Sequence, residues 1–342
     1  MFKFENEIEN IIKNAGIVGC SVALTDRNSI VFARGYGSLS LDDPDRAADE
    51  YSLYRIASIT KVVTGVLTMR LVEDGLLSLD APVCSYLPWL TLKDMDACRR
   101  ITLRQLLSHT AGLPAEYTPI GPKDERLLAD SLKKGLPELE LVSQPGEGKY
   151  LYSNWGIRIA SAAIEAVTGR LYSELAREYV LLPLGMSYST YDLNVAATYP
   201  LSLPHPIGED GKPFTDHYIK ENACRLAVGG LYSNAYDLCK LARMLMRGGV
   251  ADDGTRVISE ASVSEMRRRH AELKSGDGYG LVMQLHNITP ERETFGHYGN
   301  ADPYTSAMYV DPVSGYAAVV LINSKCDGQR RDICDAMLRA MM

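Results

Sequence analysis

Tyr54-Arg55-Ile56-Ala57-Ser58-Ile59-Thr60-Lys61-Val62-Val63-Thr64-Gly65 is the stretch on which the reading of this chain turns. Ser58 and Lys61 are three residues apart, and residues at that spacing share one face of a helix. A helix starting near Ser58 therefore holds a hydroxyl and an amine side by side. The next residues support such a helix: Ile59, Val62, Val63, Val66 and Leu67 fall at i, i+3, i+4, i+7 and i+8, and Gly75 supplies a stop. Ser58 then lies in the first turn, where unpaired backbone N–H groups and the helix dipole favour negative charge. That is a suitable place to build an alkoxide and then a tetrahedral oxyanion. Ser-x-x-Lys alone carries little weight, because both residues are common and the pattern recurs by chance in a chain of 342 residues.

Two further motifs change that. Tyr152-Ser153-Asn154 lies in the run Pro145-Gly146-Glu147-Gly148-Lys149-Tyr150-Leu151-Tyr152-Ser153-Asn154-Trp155-Gly156, and Gly296-His297-Tyr298-Gly299-Asn300 precedes a strand-like segment. Ser-x-x-Lys, a polar triplet and Lys-Thr-Gly, in that order, are the signature of serine β-lactamases and penicillin-binding proteins. With Tyr-x-Asn as the triplet and His-x-Gly as the third element, the chain resembles the class C branch of that superfamily. The branch includes class C β-lactamases, D-alanyl-D-alanine carboxypeptidases, D-aminopeptidases and family VIII esterases. Leu106-Leu107-Ser108-His109-Thr110-Ala111-Gly112-Leu113-Pro114, Pro183-Leu184-Gly185-Met186 and Gly229-Gly230-Leu231-Tyr232-Ser233 look like its connecting segments, so the resemblance covers most of the chain.

Composition sets wider bounds. The apolar fraction of 46% and charged fraction of 23% are those of an ordinary soluble protein, long enough for about two domains. A formal charge of -7 gives no footprint for nucleic acid or an anionic membrane. The acidic, amphipathic start Met1-Phe2-Lys3-Phe4-Glu5-Asn6-Glu7-Ile8 lacks the basic and apolar stretches of a secretory signal. No apolar run approaches the roughly 18–20 residues needed to span a bilayer. The seven cysteines are odd in number and scattered, which points to reduced thiols and a cytoplasmic location. His-Glu-x-x-His, paired cysteine clusters, Gly-x-Ser-x-Gly, a phosphate loop and a dinucleotide fingerprint are all missing from the sequence. No cofactor or metal is implied, and nothing sets an oligomeric state.

Along the chain, residues 20–26 and 30–34 read as a hairpin around Asp26-Arg27-Asn28-Ser29. Residues 304–310 and 316–323 read as a second hairpin, and Ala317-Ala318-Val319-Val320-Leu321-Ile322 has the continuous apolarity of a strand buried on both faces. A closing helix is predicted over 327–341. Between about 76 and 261 the strong patterns are helical: 103–108, 156–168, 171–180 and 235–246. The fold class is thus α/β (α+β), an antiparallel sheet flanked by helices and built from both chain termini, with an inserted all-α domain. Residues 1–75 with 262–342 form the α/β part and 76–261 the helical insertion. The resemblance implies the same arrangement, with the active site at the junction.

Acyl transfer needs a nucleophile, a proton acceptor, a donor for the leaving group and an oxyanion hole. Ser58 is the expected nucleophile. Lys61 and Tyr152 share the base role, Tyr152 being favoured to protonate the leaving group. Their unperturbed pKa values, about 10.4 and about 10, suit neither as a base near neutrality unless the site shifts them. Which of the two deprotonates Ser58 is left open. By resemblance, Asn154 binds an acyl-side amide and helps hold Lys61, and His297 gives a polar or partly positive wall. Gly299 lets the strand approach closely, and the N–H groups of Ser58 and Asn300 form the oxyanion hole. His109 is assigned to structure. The expected activity is a serine hydrolase with a Ser58 acyl-enzyme, cleaving an ester, amide or peptide-like bond of a small molecule. An acyltransferase with the same intermediate, and a penicillin-binding or sensing module without turnover, are the alternatives.

Tyr298 departs from the family pattern, which has a small Thr or Ser there to bind a substrate carboxylate. Its ring is expected either to fill that pocket or to swing out and leave it unlined. The expected enzyme is therefore a poor β-lactamase that prefers esters or amides without a carboxylate next to the scissile bond.

Overall fold

The computed structural model of the protein describes residues 2–115, 121–219, 221–326 and 328–342. Both chain ends meet in one sheet. Strands β1 (Gly19–Thr25) and β2 (Ile30–Gly37) pair with four strands from the other end: β3 (Gln284–Thr289), β4 (Arg292–Ala301), β5 (Tyr304–Asp311) and β6 (Tyr316–Ile322). The antiparallel order is β2-β1-β6-β5-β4-β3, extended by the short strands Gly278–Tyr279 and Ala271–Glu272. Both predicted hairpins are present.

β6 shows why its sequence is apolar throughout. Ala318, Val320 and Ile322 face a core built with α1 (Glu5–Ala15) and the last helix, while Ala317, Val319 and Leu321 face the main core on the other side. The last helix runs over Gln329–Arg339, shorter than predicted; Asp327, its expected start, is outside the described residues.

Helix α2 (Thr60–Glu73) follows Ser58 and is buried from Thr60 to Met69 without a gap. A helix covered on all sides must satisfy its polar side chains locally. Thr64 Oγ1 donates to the Ala227 carbonyl at 2.7 Å and Thr68 Oγ1 to the Thr64 carbonyl at 2.7 Å. Packed around it are α4 (Asn154–Thr168), the segment Tyr172–Ala176 and the short helix Leu226–Gly229, while α3 (Leu103–Leu107) packs on α4. The Tyr172–Ala176 segment, read from sequence as one helix over 171–180, changes to a π-helical turn at Arg177–Leu181.

Packing does not follow the boundaries drawn at 76 and 261. Helix α5 (Ala235–Met246) lies across β1, β5 and β6 as a flanking layer of the sheet, although the sequence places it within the helical insertion. Helix α2, assigned to the sheet-bearing part, packs among the inserted helices. Periodicity tells which face of a helix is buried, not what covers it.

The closeness of α2 to the strand-bearing part is testable at Gly65. A Cβ there would stand 2.3 Å from Val282 Cγ2 and 2.9 Å from Met266 Cε. Gly65→Ala would gain at most about 1 kcal/mol of helix propensity. The overpacking should cost about 1–3 kcal/mol and prevail, lowering the urea midpoint. An unchanged or raised midpoint would contradict this packing.

Candidate active site

Ser58 sits in a short 3₁₀ turn, Ala57–Ile59, between the strand pair Tyr54–Arg55/Tyr232–Ser233 and helix α2. The Gly229–Ser233 phrase cradles this turn. Ile56 N–H donates to the Leu231 carbonyl at 3.0 Å and Arg55 Nε to the Gly229 carbonyl at 3.1 Å. From the sheet, Ser306 Oγ donates to the Ile56 carbonyl at 2.7 Å. Ala57 is held at φ 51°, a left-handed conformation that costs a non-glycine residue about 1–3 kcal/mol. The strain is concentrated one residue before the hydroxyl.

Two side chains converge on Ser58 Oγ: Lys61 Nζ lies 3.0 Å away, and the Tyr152 hydroxyl donates to it at 2.9 Å. Lys61 is fully buried, and its amine also donates to the Val228 carbonyl at 2.7 Å. Burial pushes its pKa well below the usual 10.5, and the charge of buried Arg158 pushes the same way. Burial moves Tyr152 in the other direction, well above the usual phenol range, against the pull of its bond to Ser58. Both shifts favour a neutral amine beside a protonated phenol.

The other predicted residues divide sharply. Asn154 opens α4, and its Oδ1 has no hydrogen-bond partner among the described residues. The expected hold on Lys61 is therefore not made through Oδ1; the Val228 carbonyl takes that place. His297 is buried beside Tyr152, with ring centroids 6.1 Å apart. Its Nδ1 is 2.5 Å from the Tyr298 carbonyl and its Nε2 is 3.0 Å from the Tyr279 hydroxyl. Burial and the Lys61 charge lower its pKa to about 3, so the expected partly positive wall is a neutral one.

Tyr298 lies on the far face of β4, because neighbouring strand residues point to opposite faces. Its ring packs 4.6 Å from that of Tyr309, beneath the guanidinium groups of Arg330 and Arg331. Of the two expectations for this ring, filling the carboxylate pocket is overturned.

Gly299 returns to the Ser58 face, and no side chain fits there. A Cβ would meet Ser306 Oγ at 2.1 Å, the Ile56 carbonyl oxygen at 2.5 Å and Ala57 Cβ at 2.9 Å. Beyond Gly296, where pairing with β3 ends, β4 pairs with β5 alone among the described strands. Tyr298 N–H points to the open side, donating to Gln284 Oε1 at 3.0 Å. Alternation along the strand turns the N–H of exposed Asn300 the same way.

Sequence reasoning missed Tyr279, Arg158 and the Val228 carbonyl. Only Arg158 left a signal: it stands four residues after Asn154, one turn along the same helix. Tyr279 reaches His297 from a two-residue strand with no pattern of its own.

The family described as Beta-lactamase matches residues 4–338. Penicillin-binding protein 4 of Amycolatopsis lactamdurans is 30% identical over 283 residues, covering 80% of this chain and 72% of that protein. A staphylococcal relative, protein flp of Staphylococcus aureus (strain MW2), is 28% identical over 187 residues; the match covers 54% of this chain but only 37% of that protein. Among solved structures, the octameric penicillin-binding protein homologue from Pyrococcus abyssi superposes with a TM-score of 0.84 at 24% identity, over 98% of this chain and 76% of that one. The D-amino acid amidase from Ochrobactrum anthropi SV3, complexed with L-phenylalanine amide, gives 0.81 at 22% identity, over 99% of both. The chain belongs to the beta-lactamase family and is a serine hydrolase of that fold. Among the described residues, no helix is long and apolar enough to cross a membrane.

Gly299→Ala should push the Ser58 turn away from β4 and lower kcat by about 10²-fold, as misplacement by about 1 Å does elsewhere. Tyr298→Phe, on the far face, should keep kcat/KM within about threefold. Steady-state kinetics check both, and the reverse ranking would contradict the assignment of faces.

Proposed function

We propose that the protein hydrolyses an amide or ester of a small molecule, of the D-amino-acid amidase or esterase type, through an acyl-enzyme on Ser58. The observation that carries this reading is the simultaneous contact of Ser58 Oγ with a buried lysine and a tyrosine hydroxyl. The Lys61 amine, neutral and anchored on the Val228 carbonyl, takes the Ser58 proton as Oγ attacks the carbonyl carbon. The N–H groups of Ser58 and Asn300 receive the oxyanion. Tyr152 gives its proton to the departing nitrogen or oxygen as that bond breaks. The proton held on Lys61 returns through the same cluster. Water then adds to the acyl group, loses its proton to the cluster, and releases the acid with free Ser58.

Substrate class is argued from the groups around the three residues. The free Asn154 Oδ1 suits an amide N–H on the acyl side. His297 is neutral with both nitrogens engaged, and Tyr298 is turned away, so the third motif offers neither cation nor hydroxyl to a carboxylate at the scissile bond. The similarity to a D-amino acid amidase over nearly the whole of both chains supports the amide reading.

The test is a panel of D-amino-acid amides, short-chain aryl esters, D-Ala-D-Ala peptides and a chromogenic cephalosporin. The amides or esters should turn over, and a fluorophosphonate probe should label Ser58 in wild type but not in Ser58→Ala. Lys61→Ala and Tyr152→Phe should each lose about 10²-fold or more. Cephalosporin hydrolysis at about 10⁵ M⁻¹s⁻¹ or above, in the range of a good enzyme, would contradict the substrate assignment. Labelling without turnover of any substrate would contradict the hydrolase reading.

A further inference from the structure

The loop after α3 uses a residue that its backbone does not favour. Thr110 N–H donates to the Gln105 carbonyl at 2.9 Å and His109 N–H to the Leu106 carbonyl at 3.4 Å. These are the two reverse bonds of a Schellman turn, whose left-handed position normally carries glycine. Here it carries His109, at φ 58°. A side chain with a Cβ is strained in that conformation, and strain of this kind tends to gather at functional positions.

What His109 gains is contact with three consecutive residues. Its carbonyl accepts the Leu151 N–H at 2.9 Å, and its Nδ1 accepts the Ser153 N–H at 3.3 Å. Between them, its ring centroid lies 4.4 Å from that of Tyr152. An Nδ1 that accepts must belong to an imidazole carrying its proton on Nε2. That Nε2 has no hydrogen-bond partner among the described residues, although the residue is 2% exposed, and the ring is boxed by Tyr150, Tyr152 and Tyr279. Burial holds the imidazole neutral, as acceptance at Nδ1 requires.

We propose that His109 is the positioning residue of Tyr152, bracketing it from both sides so that its hydroxyl stays on Ser58 Oγ. This rests on the role given to Tyr152 above. His109 touches neither Ser58 nor the reacting bond in this role. It acts through the phenol, so its loss should lower kcat with little change in KM, and should matter only while Tyr152 has a hydroxyl.

The experiment is a double-mutant cycle on a turned-over amide or ester, with thermal melts of every variant. His109→Asn is compatible with the left-handed turn and keeps an acceptor for Ser153 N–H, but loses the ring. It should melt close to the parent and lose about tenfold in kcat. His109→Ala should lose about 10²-fold, with KM within about threefold. In the Tyr152→Phe background, His109→Ala should cost less than about threefold more, because coupled residues are not additive. Multiplicative losses overturn the clamp and leave the role of Tyr152 standing, as does parental kcat in His109→Ala. If His109→Ala does not fold, the same cycle is run with His109→Asn. Parental activity in Tyr152→Phe overturns the role of Tyr152, and the clamp with it.

Discussion

Lys61 projects from a helix that is covered on every side, so its amine has no route to solvent. A charged ammonium in that position loses its hydration; among the described residues it hydrogen-bonds one carbonyl and one hydroxyl, with the Tyr152 ring 5.1 Å away. Release of the proton removes most of that penalty. Arg158, buried nearby, disfavours the charged form further. In the proposed mechanism the outcome is an amine that gives up its proton more readily than an ordinary lysine and so can act as the base beside Ser58, through its own burial. The all-round burial of α2 keeps water from this amine.

The same low-dielectric setting explains the tyrosine. A phenol in these surroundings resists ionisation, and in the proposed mechanism Tyr152 keeps its proton until a leaving group accepts it. Opposite shifts on two adjacent groups separate a base from an acid within one site. His297 completes the picture by remaining neutral: a cation in its place would add a field favouring tyrosinate and anionic substrates. Tyr279 and the Tyr298 carbonyl engage both of its nitrogens.

Much of this was legible in the sequence, for physical reasons. Ser58 and Lys61 share a helix face by spacing alone, and the chain order of three short motifs marks the family. The apolar run of β6 announced burial on both faces, and the two hairpins were bounded by strong turn residues. Other features had no local signal. That Tyr298 faces away from the site depends on the register of β4, which is set by its pairing with β5. That α5 covers the sheet depends on long-range packing. The phrase containing His109 was recognisable as a family segment, but its grip on residues 151–153 arises from contacts across more than forty positions of sequence.

The central claim, that Lys61 is uncharged beside Ser58, is open to direct measurement. In protein labelled with ¹⁵N on the lysine side chains, the Lys61 Nζ signal can be assigned by its loss in Lys61→Arg and followed through a pH titration. The account predicts a midpoint well below the 10.5 of an ordinary lysine, with the neutral amine present at neutral pH. A midpoint at the ordinary value, with Lys61 charged across the neutral range, would contradict it.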